Sequence, residues 1–338
     1  MSEEQPPNAW ACICDAARSV LGRVRKYFLS AHPPPHLVWI HRGIGNVAAG
    51  RLDAAVDDFT VALQHHPGYP FAYVHRGNAF VKAGNDDAAL RDYNDALAID
   101  PDLANVYTSR GYIWLRKREF ERAIADFADG IRLNPKEPLA YVGRSRCWIT
   151  RDEYDSAIRD CSEAISLAPA NLNAFVLRAS TWLRNGELDK AISDYTEAIR
   201  IAPHVAIPYV GRSHVLVKKR EFQPAIDDLT VALRIDPRFV EAHNNLGWIY
   251  ASASDPRFRD GSKALEHAQK ACDLSGYKKW FAVRTLAAAY AELRLFKDAV
   301  ELQEKANTIT PKEADRQEGV RRLALYKAGE PFREETAS

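Results

Sequence analysis

Six prolines set the frame of this sequence: Pro67, Pro101, Pro135, Pro169, Pro203 and Pro237, each 34 residues beyond the last. A fixed interval of that size marks one supersecondary unit copied in tandem, each copy too small to bury a core without its neighbours. If the residue 31 before each proline is position 1, position 4 is Trp39, Tyr73, Tyr107, Tyr141, Phe175 and Tyr209. Position 20 is alanine in all six copies (Ala55, Ala89, Ala123, Ala157, Ala191 and Ala225). Position 27 is Ala62, Ala96, Gly130, Ala164, Ala198 and Ala232. Apolar residues at positions 4, 8 and 11, and again at 20, 24 and 27, recur at helical spacing. Each repeat therefore reads as two helices joined by a turn, marked in places by Gly50, Gly84 and Gly186. Small residues at positions 8, 20 and 27 let the two helices approach closely. The proline stops the second helix and opens the next repeat.

Trp39, Gly43, Ala55, Phe59, Ala62 and Pro67 together resemble the signature of the tetratricopeptide repeat (TPR), and repeats two to six carry it again. The resemblance implies an all-α fold, a right-handed α-solenoid of about eight tandem helix-turn-helix repeats with capping helices at its ends. The repeats fall at 36–69, 70–103, 104–137, 138–171, 172–205, 206–239, 240–279 and 280–313. Repeat seven holds "NNLGWIY" (Asn244 to Tyr250), an enlarged loop "SASDPRFRDGSK" and Gly276 in place of proline. Repeat eight carries Leu286, Tyr290, Ala299, Ala306 and Pro311 in the family's places. Asn46 and Cys161 stand where the family usually has aromatics. Residues 314–338 are expected to form a C-terminal capping helix and tail, with Val320, Leu323 and Ala324 on the inward face. Residues 1–35 are expected to form an N-terminal tail and a cap. Pro33 falls on the same ladder, so Ser19 to Leu29 reads as a lone second helix. The alternative for that segment is an amphipathic helix lying on a membrane surface, with Trp10, Val20 and Phe28 opposite Arg18, Arg23 and Lys26.

Little in the sequence points to catalysis. "GIGNVA" (Gly43 to Ala48) has the spacing of a dinucleotide fingerprint, but it lies inside a first helix without the strand that the fingerprint requires. Walker-type, H-E-x-x-H and G-x-S-x-G motifs are all lacking. His41 and His75 share position 6 in adjacent repeats without further metal ligands in range. Cys12 and Cys14 read as fortuitous thiols, and Trp114, Trp148 and Trp182 at position 11 read as core. The expectation is no enzyme, no cofactor and no metal. The five cysteines are odd in number and lack paired zinc spacing. No run reaches the ~18 apolar residues of a membrane span. The opening "MSEEQPPNAW" is acidic where a secretory signal is basic. A cytoplasmic protein with reduced thiols is expected, and "LYKAGEPFREE" resembles the ends of bacterial repeat proteins.

In tetratricopeptide repeats the first helices line a concave groove, with positions 2, 5, 6, 9, 12 and 13 tending to face it. By this resemblance the candidate partner-binding residues are Asn78, Lys82, Tyr112, Arg116, Arg146, Asn173, Arg184, His214, Lys218, Asn244, Asn245 and Trp248. Amides pair with the backbone of an extended peptide, and cations suit acidic side chains. The expected partner is a protein, offering a peptide segment or helix with a mildly acidic preference. The groove residues equally read as a solvated face. The family's carboxylate clamp is not supplied by any three consecutive repeats. A nucleic-acid-binding solenoid using the same basic residues is the alternative. It is disfavoured by a net charge of +1, since polyanion binders are usually plainly basic. A membrane-peripheral adaptor acting through the N-terminal helix is a further alternative.

One charged pair recurs with the frame itself. Position 7 is Arg42, Arg76, Arg110, Arg144, Arg178 and Arg212, and sixteen residues after each comes Asp58, Asp92, Asp126, Asp160, Asp194 or Asp228. Repeats seven and eight lose both charges together, with Leu246 and His267, then Leu286 and Leu302, in those places. Such paired loss fits a structural Arg–Asp ladder along the helix–helix seam better than an arginine reading a ligand. A guanidinium forks onto both carboxylate oxygens. Removing one partner of a buried pair costs about 3–5 kcal/mol, whereas an exposed charge contributes about 1 kcal/mol or less. Arg144→Ala is therefore expected to lower the melting temperature more than Lys218→Ala, and equal melting temperatures would refute the ladder.

Overall fold

The computed structural model describes residues 34–334. The expected N-terminal cap, its membrane-lying alternative, and Cys12 and Cys14 lie outside the described residues. Those described form seventeen α-helices and one 3-10 turn, with no strand. The helices pair as α1 (Pro35–Ala48) with α2 (Leu52–His65), α3 (Pro70–Lys82) with α4 (Asp86–Ile99), and α5 (Ala104–Arg116) with α6 (Phe120–Leu133). Next come α7 (Pro138–Thr150) with α8 (Tyr154–Leu167), α9 (Leu172–Arg184) with α10 (Leu188–Ile201), and α11 (Ala206–Lys218) with α12 (Phe222–Ile235). The last pairs are α13 (Val240–Ser252) with α14 (Gly261–Ser275) and α15 (Trp280–Glu292) with α16 (Phe296–Ile309), followed by α17 (Glu313–Lys327). The chain divides into two compact halves, one ending at Leu177 and the other starting at Arg178.

Local chemistry sets the helix ends. The residue before each ladder proline, such as His66, Asp100 or Asn134, is extended, with φ of −147°, −135° and −136°. Proline forbids helical geometry to its predecessor, so the second helix stops there. The short turn inside every pair but the seventh holds a left-handed residue. Gly50, Gly84 and Gly186 supply it with φ of 73°, 76° and 83°. Arg118, Asp152, Arg220 and Arg294 take the same conformation without being glycine, at φ of 59–63°. The turn is thus demanded by the pairing and is filled by whatever residue stands there.

In the N-terminal half, Phe59, Tyr93 and Phe127 at position 24 are buried between successive first helices. Phe127 presses on Gly111 of its own pair, where a Cβ would come within 2.9 Å, and on Gly143 of the next. Cys161, with no aromatic bulk, is followed by Leu177 at the place that Gly143 holds one repeat earlier. At these two places a large ring meets a glycine and a small cysteine precedes a leucine. His41 is exposed, whereas His75 is buried and stacks on Phe59 at 5.7 Å. Trp114 and Trp148, expected in the core, are half-buried and covered by Arg122 and Arg151. Cys147 and Cys161 are buried.

In the C-terminal half, Tyr195 meets Gly211 as Phe127 meets Gly143. Trp182, also expected in the core, is half-buried under Lys190. The enlarged loop of repeat seven is packed. Phe258 lies 5.4 Å from Phe222, and Asp260 caps α14 by accepting from the Ser262 and Lys263 amides. Helix α14 ends on Gly276 at φ 57°, which substitutes for the missing proline. The inward face of α17 differs from expectation. Val320 is 57% exposed, Ala324 is exposed and Leu323 only half-buried, while Gly319, Arg322 and Tyr326 are the buried residues. Gly319 sits against Asn307 with no room for a Cβ, and this close approach selects the face.

Gly143→Ala forces the packed Phe127 ring aside and is expected to destabilise the protein by about 1–3 kcal/mol. Gly45, in the last turn of α1 with nothing near its absent Cβ, gives the opposite sign. Gly45→Ala is expected to stabilise by about 0.5–1 kcal/mol. Denaturant midpoints of the two variants against the wild type test this contrast.

Candidate partner-binding surface

The frame that presents the surface is the Arg–Asp pair in each of the first six repeats. Arg76 Nε donates to Asp92 Oδ2 at 2.9 Å and Nη2 to Oδ1 at 2.7 Å. Arg110–Asp126, Arg144–Asp160, Arg178–Asp194 and Arg212–Asp228 repeat this fork with distances of 2.7–2.8 Å. Arg42 places both donors on Asp58 Oδ1, and Asn46 Nδ2 supplies the other oxygen at 2.8 Å. Asn46, a departure from the family's aromatic, thus completes the pair. Trp148 Nε1 does the same for Asp160 at 3.1 Å. All six aspartates are buried, and the hydrogen bond to aspartate raises the guanidinium pKa of Arg76, Arg110, Arg144 and Arg212. The third donor reaches back to the preceding repeat. Arg76 Nη1 bonds Thr60 Oγ1 at 3.0 Å, Arg110 Nη1 bonds Asn94 at 2.6 Å and Arg212 Nη1 bonds Thr196 at 3.0 Å. The aromatic three residues earlier lies under the guanidinium, Trp39 at 4.1 Å from Arg42 and Tyr107 at 5.5 Å from Arg110. Arg76, Arg110 and Arg212 thus use all three faces of the guanidinium within the frame.

On the first helices of the N-terminal half, two candidates turn inward. Asn78 is buried and accepts from Tyr93 Oη at 2.6 Å. Tyr112 is buried, donates to the Leu139 carbonyl at 2.9 Å and meets Phe127 edge-on. Asn78 is held by Tyr93 of its own helix pair and Tyr112 by Leu139 of the next. Arg116 pairs with Asp86 at the start of α4, and Lys82 and Arg146 are half-buried. Arg146 Nε is shielded and has no hydrogen-bond partner. Asn173 is exposed.

The C-terminal half gathers its candidates more closely. Arg184, His214 and Lys218 are exposed. His214, Lys218, Asn244, Asn245 and Trp248 line one cavity of about 370 Å³ on the first helices α11, α13 and α15. Asn244 is buried and donates to Asn245 Oδ1 at 3.1 Å, with its own Oδ1 unpartnered. Three further residues belong to this site. Arg284 lines the cavity and lies over both Trp248, at 5.1 Å, and Trp280, at 4.7 Å. Arg322 lies over Trp248 at 4.8 Å. Glu334, from the segment after α17, accepts from Trp248 Nε1 at 2.6 Å. Arg284 stands at position 5 of repeat eight, so the register that selects Trp248 would have found it. Arg322 and Glu334 lie outside the repeats, and no periodic signal points to them.

A family model described as TPR repeat matches residues 77–118, and one described as Tetratricopeptide repeat matches residues 109–172 and 151–206. No curated protein matches the sequence. Among solved structures, the chain is similar to one in the APC/C hetero-tetramer Cut9-Hcn1, with 16% identity and a TM-score of 0.60, over 91% of this chain and 59% of that one. It is similar as well to Pseudomonas aeruginosa pilF, with 16% identity and a TM-score of 0.55, over 62% of this chain and 95% of that one. At such identities the likeness shows the fold.

His75 at position 6 adds a pH dependence to this scaffold. Burial lowers its pKa from 6.5 to about 4, and its Nε2 has no partner. The unfolded chain therefore takes up a proton between those values while the folded one does not. His75's contribution is intact above pH 6.5 and is lost as pH falls toward 4, to an extent of up to about 3 kcal/mol. His75→Leu is expected to flatten the fall in denaturant midpoint between pH 7 and pH 4.5, and an unchanged slope would exclude His75 as its source.

Proposed function

We propose that this chain, which is a tetratricopeptide-repeat protein, is a non-catalytic cytoplasmic scaffold that holds a peptide segment or helix of a protein partner along its first-helix face. The observation that carries this reading is the cavity shared by α11, α13 and α15. There Asn245 offers amide hydrogen bonds, Trp248 an apolar wall, and His214 and Lys218 a cationic rim. A backbone needs such amide donors and acceptors, an acidic side chain needs the cations, and one anchoring aromatic supplies most of the affinity.

The basic residues favour a protein partner over nucleic acid. Many are already neutralised: Arg116 by Asp86, Lys117 by Asp87, Lys219 by Asp189 and Glu221, and Arg151 by Glu121 and Glu153. A phosphate backbone needs a continuous row of free cations, and its binding falls steeply with salt. A membrane-lying role would rest on residues 8–30. No helix among the described residues is long and apolar enough to cross a membrane.

The triple variant Arg184→Glu, Lys218→Glu, Asn245→Ala tests the reading. Both cations are exposed and neither makes an ion pair among the described residues, so helicity should be kept. Affinity capture from cell lysate at about 150 mM salt is expected to retain a protein set that the variant loses. An identical catch from both proteins, or retention of nucleic acid alone, would move the function away from this face.

A further inference from the structure

Just past helix α17, Gly329 with φ of 74° turns the chain back, and the Glu330 amide closes the turn on the Leu325 carbonyl at 2.9 Å. The next four residues, 331–334, then run along the C-terminal end of α13. Two of their contacts go to main chain. The Glu334 amide donates to the Ser252 carbonyl at 3.0 Å, and Arg333 Nη1 donates to the Ala251 carbonyl at 3.2 Å. These carbonyls belong to the last turn of a helix, where no intrahelical partner exists. Others go to side chains, among them an ion pair of Arg333 with Glu292. Phe332 packs on Trp248 at 5.6 Å between ring centres, and Glu334 Oε1 accepts from the Trp248 indole. A short extended segment bound through backbone hydrogen bonds, one aromatic and one carboxylate has the make-up of a peptide ligand.

The receiving surface holds more positive charge than this segment neutralises. Arg322 is buried between Trp248 and Phe332, and its Nε and Nη1 lack hydrogen-bond partners although Glu318 lies 3.3 Å from Nη2. Arg284, between Trp248 and Trp280, has a shielded and unpartnered Nε and makes no ion pair among the described residues. Burial lowers its pKa to about 10, a penalty that a bound carboxylate would relieve. Unsatisfied buried donors of this kind are rare in folded proteins and mark a place where an acceptor belongs. The cavity that Arg284 lines opens directly beside Glu334.

We infer that the surface around Trp248, Arg284 and Arg322 is a recognition site for an extended acidic segment with an aromatic two residues before a carboxylate, and that the chain's own Phe332 and Glu334 occupy it as an internal ligand. A partner segment with the same Phe-x-Glu spacing enters by displacing residues 331–334. The inference rests on the reading of the chain as a peptide-binding scaffold and adds the ligand chemistry and a built-in competitor. Tethering gives the internal segment an effective concentration of about millimolar. The resting site therefore rejects weak ligands and opens only to those that bind better or arrive at high local concentration.

The test uses the full chain, in its natural form and as Phe332→Ala/Glu334→Ala, with a fluorescently labelled peptide EPFREE as the probe. Anisotropy is expected to show at least tenfold tighter binding to the double variant than to the natural chain, and loss of binding when the peptide's own Phe is replaced by Ala. Equal affinities, or no binding to the double variant up to about 1 mM peptide, would overturn the inference. If the double variant loses helicity, Glu334→Gln alone replaces it, with several-fold tighter binding than the natural chain expected and equal binding again decisive against. The lysate capture distinguishes the two readings. Proteins lost only by the triple variant leave the scaffold role intact even if the peptide fails to discriminate.

Discussion

Everything in the first six repeats hangs on a buried aspartate facing an arginine across the seam of a helix pair. A lone carboxylate in that position would be prohibitively desolvated, and a lone guanidinium would leave its donors unmet. Together they fix the angular register of two helices that otherwise touch through alanines and one aromatic. Apolar packing alone tolerates sliding, because alanine surfaces are nearly featureless. A bidentate fork does not, since both oxygens and both nitrogens must stay coplanar. The aromatic under the guanidinium and the third donor to the preceding repeat carry the same constraint outward to the neighbouring pair.

Beyond repeat six the constraint changes in kind. Leu246 and Leu286 replace the arginine and are buried. His243 and His267 stand in the aromatic and aspartate places of repeat seven, with their Nδ1 atoms 3.0 Å apart. Register there comes from bulk: a packed loop, an alanine-rich helix α15 and the tightly seated Gly319. The same stretch holds Trp248, the buried Arg322, the half-buried Arg284 and the returning chain end. Polar strain has moved from the frame to the face.

The fold was legible because its constraints are local and periodic. A proline every 34 residues, alanine at position 20 and a correlated Arg–Asp pair each follow from the geometry of one helix hairpin, so repetition amplifies them. Where the surroundings decide, single-chain reasoning falls short. Asn78 and Tyr112 look like polar face residues, but Tyr93 and the Leu139 carbonyl draw them inward. Val320 fits an apolar stripe on α17, yet the glycine next to it, by fitting closely against Asn307, rotates that stripe to solvent. The left-handed turn residues Arg118, Asp152, Arg220 and Arg294 carry no signal of their own, since the hairpin imposes their conformation. Of the candidate site, the cluster from His214 to Trp248 lay within the periodic register. Glu334 and Arg322 did not, because contacts made by a chain that folds back belong to no repeat.

The third donor of the arginine has a consequence for how such a chain grows. Arg76, Arg110 and Arg212 each reach the copy before them, where Thr60, Asn94 or Thr196, two residues past the aspartate, supplies the oxygen. The joint is head-to-tail and asks only for an acceptor, so threonine and asparagine serve alike. A copy of repeat two, which bears both Arg76 and Asn94, arrives with both halves of its connection. At Leu246 that grammar stops, because a leucine has nothing to offer the oxygen of the copy before it. This joint accommodates such copies upstream, and the face with Trp248 begins where it stops.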